Sequence, residues 1–205
     1  MTTPVPPRLE PAIRTALAPM LREDGFRGSG RKFYGQSGSW LTLLNVQGSR
    51  YGGSFAINLA VHFAAAPDLI GNTPEPARMT EAHCEFRRRL SQDRGDMWWE
   101  HEGSGESMLE AVKAAAEMYA SVGRRCFSSV IGALDVITPK SLAEGDYDLH
   151  GFHTGKPRLG LALARIRMLQ GQVAESRAFA RFALEHLEVA VAWRGELEAL
   201  AANDA

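Results

Sequence analysis

From Phe55 to Phe63 apolar and mixed residues alternate without a break. Phe55, Ile57, Leu59, Val61 and Phe63 share one side, and Ala56, Asn58, Ala60 and His62 the other. Successive side chains of a β-strand point to opposite faces, so a strict period of two marks a strand with one face in a core. A one-residue slip of its partner would carry that partner's apolar set to the wrong face, which pins the parity of the pairing. Trp40 to Gln47 supplies the partner, and Trp40, Thr42, Leu44 and Val46 must oppose residues of the Phe55 set. The connection Gly48-Ser49-Arg50-Tyr51-Gly52-Gly53 is longer than a two-residue hairpin loop, and its glycines can take the positive φ of a reversal. Pairing Val46 with Phe55 satisfies the parity and sets Asn45 opposite Ala56 and Leu43 opposite Asn58. The second face then carries Asn45, Gln47, Asn58 and His62 among Leu41, Leu43, Ala56 and Ala60. It is mixed rather than wet.

Around this hairpin the chain reads as α+β. A first helix is expected over about Pro11 to Glu23, its stripe Ile13, Leu17, Leu21 interrupted by Pro19. Lys32-Phe33-Tyr34 is a short strand candidate, and Gly25 to Gly30 reads as a flexible connection into it. Residues 1–7 are Pro-rich and expected to form an extended tail, and Asp68 to Thr80 a loop. Cys84 to Leu90 reads as a strand with Cys84, Phe86, Arg88 and Leu90 on one side, and Arg94-Gly95-Asp96 as a turn into an edge strand, Met97 to Glu100. Ser107 and Glu110 fit a capping box opening a helix that Gly123 divides from a second piece ending near Leu134. Residues 141–154 are polar and turn-rich. Two helices follow, Pro157 to Gln170 and Gln172 to about Ala202, and they resemble one tetratricopeptide-type hairpin. The expected fold is an antiparallel sheet of about four to five strands packed by helices, with a C-terminal helical hairpin. A single domain over 1–205 is expected, with an α+β core over 8–135 and the hairpin, 155–203, docked on it.

Composition narrows the function classes. The 205 residues carry a net charge of −1 with a pI near 6.6. A surface built to neutralise many phosphates is usually basic, so a nucleic-acid role through Arg27, Arg31, Lys32, Arg87 and Arg89 is disfavoured. Most of the positive charge is Arg, which suits bidentate pairing with carboxylate or phosphate, although abundant Arg and Ala together also mark a GC-rich coding sequence. No run of about 18 apolar residues is present, as a membrane span would need. The amino terminus lacks the charged-then-apolar pattern of a secretory signal. A cytoplasmic, reduced protein is expected.

No catalytic signature stands out. The Gly25–Lys32 stretch matches neither phosphate-binding loop pattern, and it follows a helix rather than preceding one; Arg31 with Arg27 and Lys32 is at most an anion candidate. His150-x-x-His153 near Asp146 and Asp148 could offer two metal ligands, but zinc needs three or more converging groups. Cys84 and Cys126 would each need a base or a positive helix end to become nucleophiles. His83 adjoins Cys84 but would face the other way on a strand. The carboxylates between Glu81 and Glu102 lie among Arg87, Arg88, Arg89 and Arg94, and ion pairing accounts for both sets. No catalytic residue, metal site or cofactor is assigned.

The segments GFRGSGRKFY, NVQGSRYGGSFAINLAVH and RRRL…DMWWE resemble bacterial proteins of the DUF4304 family, over about Phe26 to Trp99. Leu59-Ala60-Val61 stands where the family pattern has Leu-Gly-Val. The resemblance implies a small bacterial α+β domain and carries no catalytic residues.

Two functions remain to be separated. The leading one is a noncatalytic interaction protein whose partner is another protein, such as a toxin it neutralises, or itself. Trp98 and Trp99 are its candidates, because Trp and Arg are enriched at interface hot spots, although burial of both indoles is the plainer expectation. The alternative is a small-ligand or nucleotide-binding protein or enzyme on the mixed sheet face, using Asn45, Asn58 and His62 with Arg50, Tyr51 and Arg88. Whether that face is open or covered decides between them.

Overall fold

The computed structural model describes residues 8–68, 71–93, 95–187 and 191–202. The extended tail 1–7, Leu69 and Ile70 of the expected loop, Arg94 of the expected turn and residues 188–190 and 203–205 at the carboxy terminus lie outside them.

A six-stranded antiparallel sheet runs in the order β1 (Arg27–Ser29), β2 (Lys32–Ser37), β3 (Trp40–Gly48), β4 (Ser54–Phe63), β5 (Phe86–Arg89). The two-residue β6 (Trp99–Glu100) shares the outer edge of β4 with β5, at the hairpin end. The parity read from the alternation holds, but the register differs by two residues: Val46 pairs with Ile57, Asn45 with Asn58 and Leu43 with Ala60. The alternation fixes only odd against even. The turn sets the rest, and Gly48 still pairs with Phe55, so the ladder runs further toward the loop than expected.

The supposed connection Gly25–Gly30 contributes β1, which pairs with β2 through Gly28 and Phe33. Gly28 has φ +104, and a Cβ there would lie 2.3 Å from the Lys32 carbonyl oxygen. Only glycine allows that approach. The expected strand at Cys84 begins two residues later, after a 3₁₀ turn, Glu81–His83. Phe86 and Arg88 therefore lie on the core side, while Cys84 packs with Leu41, Leu43, Ala60 and Met79 on the opposite side.

Helices cover the first face. α1 (Leu9–Ala12), a π-helical turn (Ile13–Leu17) and α2 (Ala18–Glu23) run on continuously, with Ile13, Leu17 and Leu21 buried. The wider turn sits just before Pro19, whose ring and missing N–H would break a regular α-helix. α3 (Gly105–Met118), a second π-helical turn (Tyr119–Gly123) and α4 (Arg124–Val136) form another continuous run. Gly123 does not end it. Tyr119 lies so close that a Cβ on Gly123 would be 2.6 Å from its ring. The N-cap of α3 is Ser104, which accepts from the Ser107 N–H, one turn before the expected capping box. The Tyr119 hydroxyl (2.9 Å) and Arg124 Nε (2.8 Å) both donate to Asp24, tying this run to the end of α2.

The stretch expected to be polar and turn-rich overlaps α5 (Pro139–Glu144), capped reciprocally by Thr138 and Ser141. α6 (Lys156–Leu169) and α7 (Val173–Glu185) form the helical hairpin. The long last helix of the expectation is instead α7 and a separate α8 (Arg194–Ala202). Within the hairpin Ser176 donates to the Ala164 carbonyl at 2.7 Å. Its dock on the rest is Arg167, whose guanidinium bonds the carbonyls of Leu134, Asp135 and Ile137 at the end of α4 and pairs with Glu175 at 3.1 Å. A cation at a helix carboxy terminus satisfies its last carbonyls and its dipole together. One buried apolar cluster runs from Leu9 through the sheet to Leu197.

Candidate functional site

The mixed sheet face is covered over its middle by residues 79–84 and at the His62 end by α6, while Tyr34, Gln36 and Leu41 on its β2 side line a pocket of about 320 Å³. Residues 79–84 lay Met79 and Cys84 over Leu41, Leu43 and Ala60. At the polar end, Asn45 donates to Glu81 at 3.0 Å and Asn58 to Gln47 at 2.9 Å; Arg89 reaches Asn58 and Gln47 in turn. Asn58 is buried within this network. Buried polar groups need such partners, and here they find them in one another.

His62 is buried at the far end, its Nε2 3.1 Å from the Ala66 carbonyl oxygen. A carbonyl only accepts, so Nε2 carries the proton and Nδ1 is left as an acceptor with no partner among the described residues. Burial holds its pKa below the ordinary 6.5, against the opposing pull of the Ala66 bond and Asp68. The cavity beside it, between Ala66, Glu85 and Arg165, measures about 10 Å³. That is about one water's worth of space. Glu85, in the same wall, accepts from Arg158 at 2.6 Å, yet burial still pushes its carboxyl up.

The residues expected to converge on a ligand here lie apart. Arg50 and Tyr51 are at the exposed hairpin tip, where the Arg50 guanidinium stacks on the Tyr51 ring at 4.6 Å and bonds its hydroxyl. Arg31 pairs with Glu10 at 2.9 Å. Arg88 is on the opposite, core side of β5.

The two tryptophans divide. Trp99 is buried and stacks on Phe55, centroids 5.6 Å apart. Trp98 is 38% exposed and lies against the Arg89 guanidinium, 4.7 Å from its ring centre. Trp99, the first residue of β6, turns toward the core, and Trp98, just before the strand, turns out. Because β6 pairs with Ser54 and Phe55, Trp98 and Tyr51 mark the same end of the sheet.

A second region was not visible as a site in the sequence. Val122, Arg125, Cys126 and Ser129 recur at helical spacing along the π turn and α4 and form one wall of an open groove of about 560 Å³. Gln92 and Asp93 from the β5–β6 connection and His150 from the α5–α6 connection form the others, with Arg88 among the lining residues. Helical spacing in α4 was readable, but it predicts only core. The loops that close the groove are placed by tertiary structure alone. Burial raises the Cys126 thiol above its ordinary value, with Arg88 and Arg125 opposing. Burial raises Cys84 strongly too. Neither thiol is activated as a nucleophile.

His153 is bridged through its backbone to Arg87, while His150 lines the groove. Among the described residues no group of three or more His, Cys, Asp or Glu could hold a metal ion. No described helix is long and apolar enough to cross a membrane.

The family model described as "Domain of unknown function (DUF4304)" matches residues 17–121, just over half of the chain. The match extends beyond the Phe26–Trp99 motifs on both sides, taking in α2, α3 and part of the second π turn. No curated protein and no solved structure matches the chain.

Proposed function

Since this chain belongs to the DUF4304 family, for which no function is recorded, we propose from its own surface that it is a noncatalytic protein-interaction module. The observation that carries this reading is the pair of arginine-stacked aromatics at one end of the sheet. Tyr51 is 83% exposed under Arg50, and Trp98 is backed by Arg89. Large, rigid aromatics beside guanidiniums are the residues that dominate binding energy in protein interfaces. Arg89 is itself held by Asn58 and Gln47, so Trp98 rests on an ordered support. The partner is a second protein, such as a toxin neutralised by this chain, or another copy of the chain.

A photo-crosslinking amino acid placed at Tyr51 or Trp98 in the producing cell tests this. The expected outcome is a discrete adduct from both positions, absent when the crosslinker replaces Val136, which is 73% exposed elsewhere on the surface. Adducts that are the same from all three positions, or none from 51 and 98, would sink the reading. The adduct mass separates a self-complex from a foreign partner.

A further inference from the structure

We infer that the groove around Arg88 is a binding site for a phosphate group, separate from the aromatic end of the sheet. Arg88 is 9% exposed, and its guanidinium donates to four backbone carbonyls. These are Arg89 at 3.2 Å, His150 at 2.5 Å, Ser91 at 3.3 Å and Asp93 at 3.2 Å. The carbonyls satisfy most of its N–H groups, but they carry no net charge. Among the described residues no carboxylate lies within ion-pair distance of it. A guanidinium has five N–H donors, and four are used. The guanidinium also hydrogen-bonds the Cys126 sulfur, so what it offers the groove, which both residues line, is its uncompensated charge.

Arg125 lines the same groove, is exposed, and has no ion pair among the described residues. Among the described residues the neighbouring arginines are engaged, Arg124 with Asp24 and Arg89 with Asn58, Gln47 and Asp96. Ser129 and Gln92 add a hydroxyl and an amide to the lining. Among the described residues that line the groove Asp93 is the one carboxylate, so their fixed charge is positive by one, Arg88 and Arg125 against Asp93. A phosphate monoester suits this set: its charge is drawn to the net positive lining, its three oxygens accept from several donors at once, and its ester end can offer hydroxyls to Asp93.

The backbone at His150 is a second sign. It is the sole non-glycine with positive φ among the described residues, at +53°. Its N–H is held by Asp148 Oδ1 at 2.7 Å, and its carbonyl points at Arg88. A residue kept in the left-handed region by surrounding bonds costs about 1 kcal/mol or more, and such residues cluster at ligand sites. Here the strain aims the carbonyl at the guanidinium and sets the imidazole on the groove rim.

The test is amide-detected NMR titration of the full chain with inorganic phosphate, adenosine monophosphate and adenosine. Both phosphates are expected to give saturable shifts at Gln92, Arg125 and Ser129, and adenosine none. Arg125→Glu is expected to weaken the response about tenfold or more, the loss of one charge-assisted contact plus a reversed charge. Arg125 is exposed, so its melting temperature should not move; Lys113→Glu, a surface charge reversal outside the groove, should leave binding intact. Tighter binding of the ester than of free phosphate identifies an esterified ligand, and equal binding identifies phosphate itself. Shifts that do not saturate, that fall outside the groove, or that survive Arg125→Glu overturn the inference.

Discussion

Arg88 and Arg167 are both buried, at 9% and 2% exposure, and both guanidiniums are solvated by three or four main-chain carbonyls. Arg167 also has a carboxylate, Glu175, and sits between helices at the end of α4. Arg88 has none among the described residues, and it lies beside an open groove. The same residue type thus does two jobs. Carbonyls settle hydrogen-bond donors in both places, but only a carboxylate settles charge, and the charge left over at Arg88 is what the groove presents.

Removing each guanidinium shows how far the resemblance goes. Arg167→Ala strips three carbonyls at a helix end of their donor in a dry interface and unseats the α6–α7 hairpin from α4. A loss of about 3 kcal/mol or more is expected. Urea denaturation measures it, and a loss below that of a surface substitution would show that Arg167 is not the dock.

The same contrast shows what could be read in advance. The strand alternation from Phe55 to Phe63, with the Trp40–Val46 partner, gave the core face and its parity, because a period of two is a local property. The two-residue shift in register, the β1 hairpin hidden in Gly25–Gly30 and the π turns could not be read, because each is decided by a neighbour. Gly28 meets the Lys32 carbonyl, and Gly123 meets the Tyr119 ring. Arg88 drew attention as a site candidate, but with the wrong face of the sheet. A strand start placed at Cys84 missed the 3₁₀ turn that puts Cys84 and Phe86 on opposite sides. Arg88 of β5, Arg125 and Ser129 of α4, and His150 of the α5–α6 connection come together from three parts of the chain, and no local pattern announces that.

Arg88→Met should cost less than Arg167→Ala, about 2 kcal/mol. The carbonyls it abandons, at Ser91, Asp93 and His150, border a groove that water can enter, so part of their bonding is recovered. Parallel denaturation of the two variants decides the order, and equal losses would mean that the groove is as dry as the α4 interface.

A third arginine pair inverts the arrangement. At Glu85 the carboxylate is the buried member, and burial outweighs Arg158 to push its pKa up from 4.5. The folded chain then holds this proton more tightly than the unfolded chain. Its contribution to stability is therefore largest below pH 4.5 and falls as pH rises through the raised value. Glu85→Gln should remove that fall and be neutral or mildly stabilising at pH 7. His62 works in the other direction: its depressed pKa makes the fold lose stability as pH drops below 6.5, and this loss should remain in the variant. Denaturation curves of the two proteins that stay parallel from pH 4 to pH 7 would contradict the assignment of Glu85.

The smallest effect on stability bears most directly on the difference between the two buried arginines. Ser129→Asp supplies the Arg88 groove with the kind of charge that Glu175 gives Arg167. Because Ser129 is only half-buried and Arg125 is solvated, the new pairing should add no more than about 0.5 kcal/mol. Its effect on ligand binding should be far larger, since a fixed carboxylate occupies the charge that a phosphate would otherwise neutralise. Near-unchanged melting with loss of the phosphate response would separate charge compensation from hydrogen bonding at Arg88. A retained response would mean that the donors, and not the leftover charge, govern what the groove can hold.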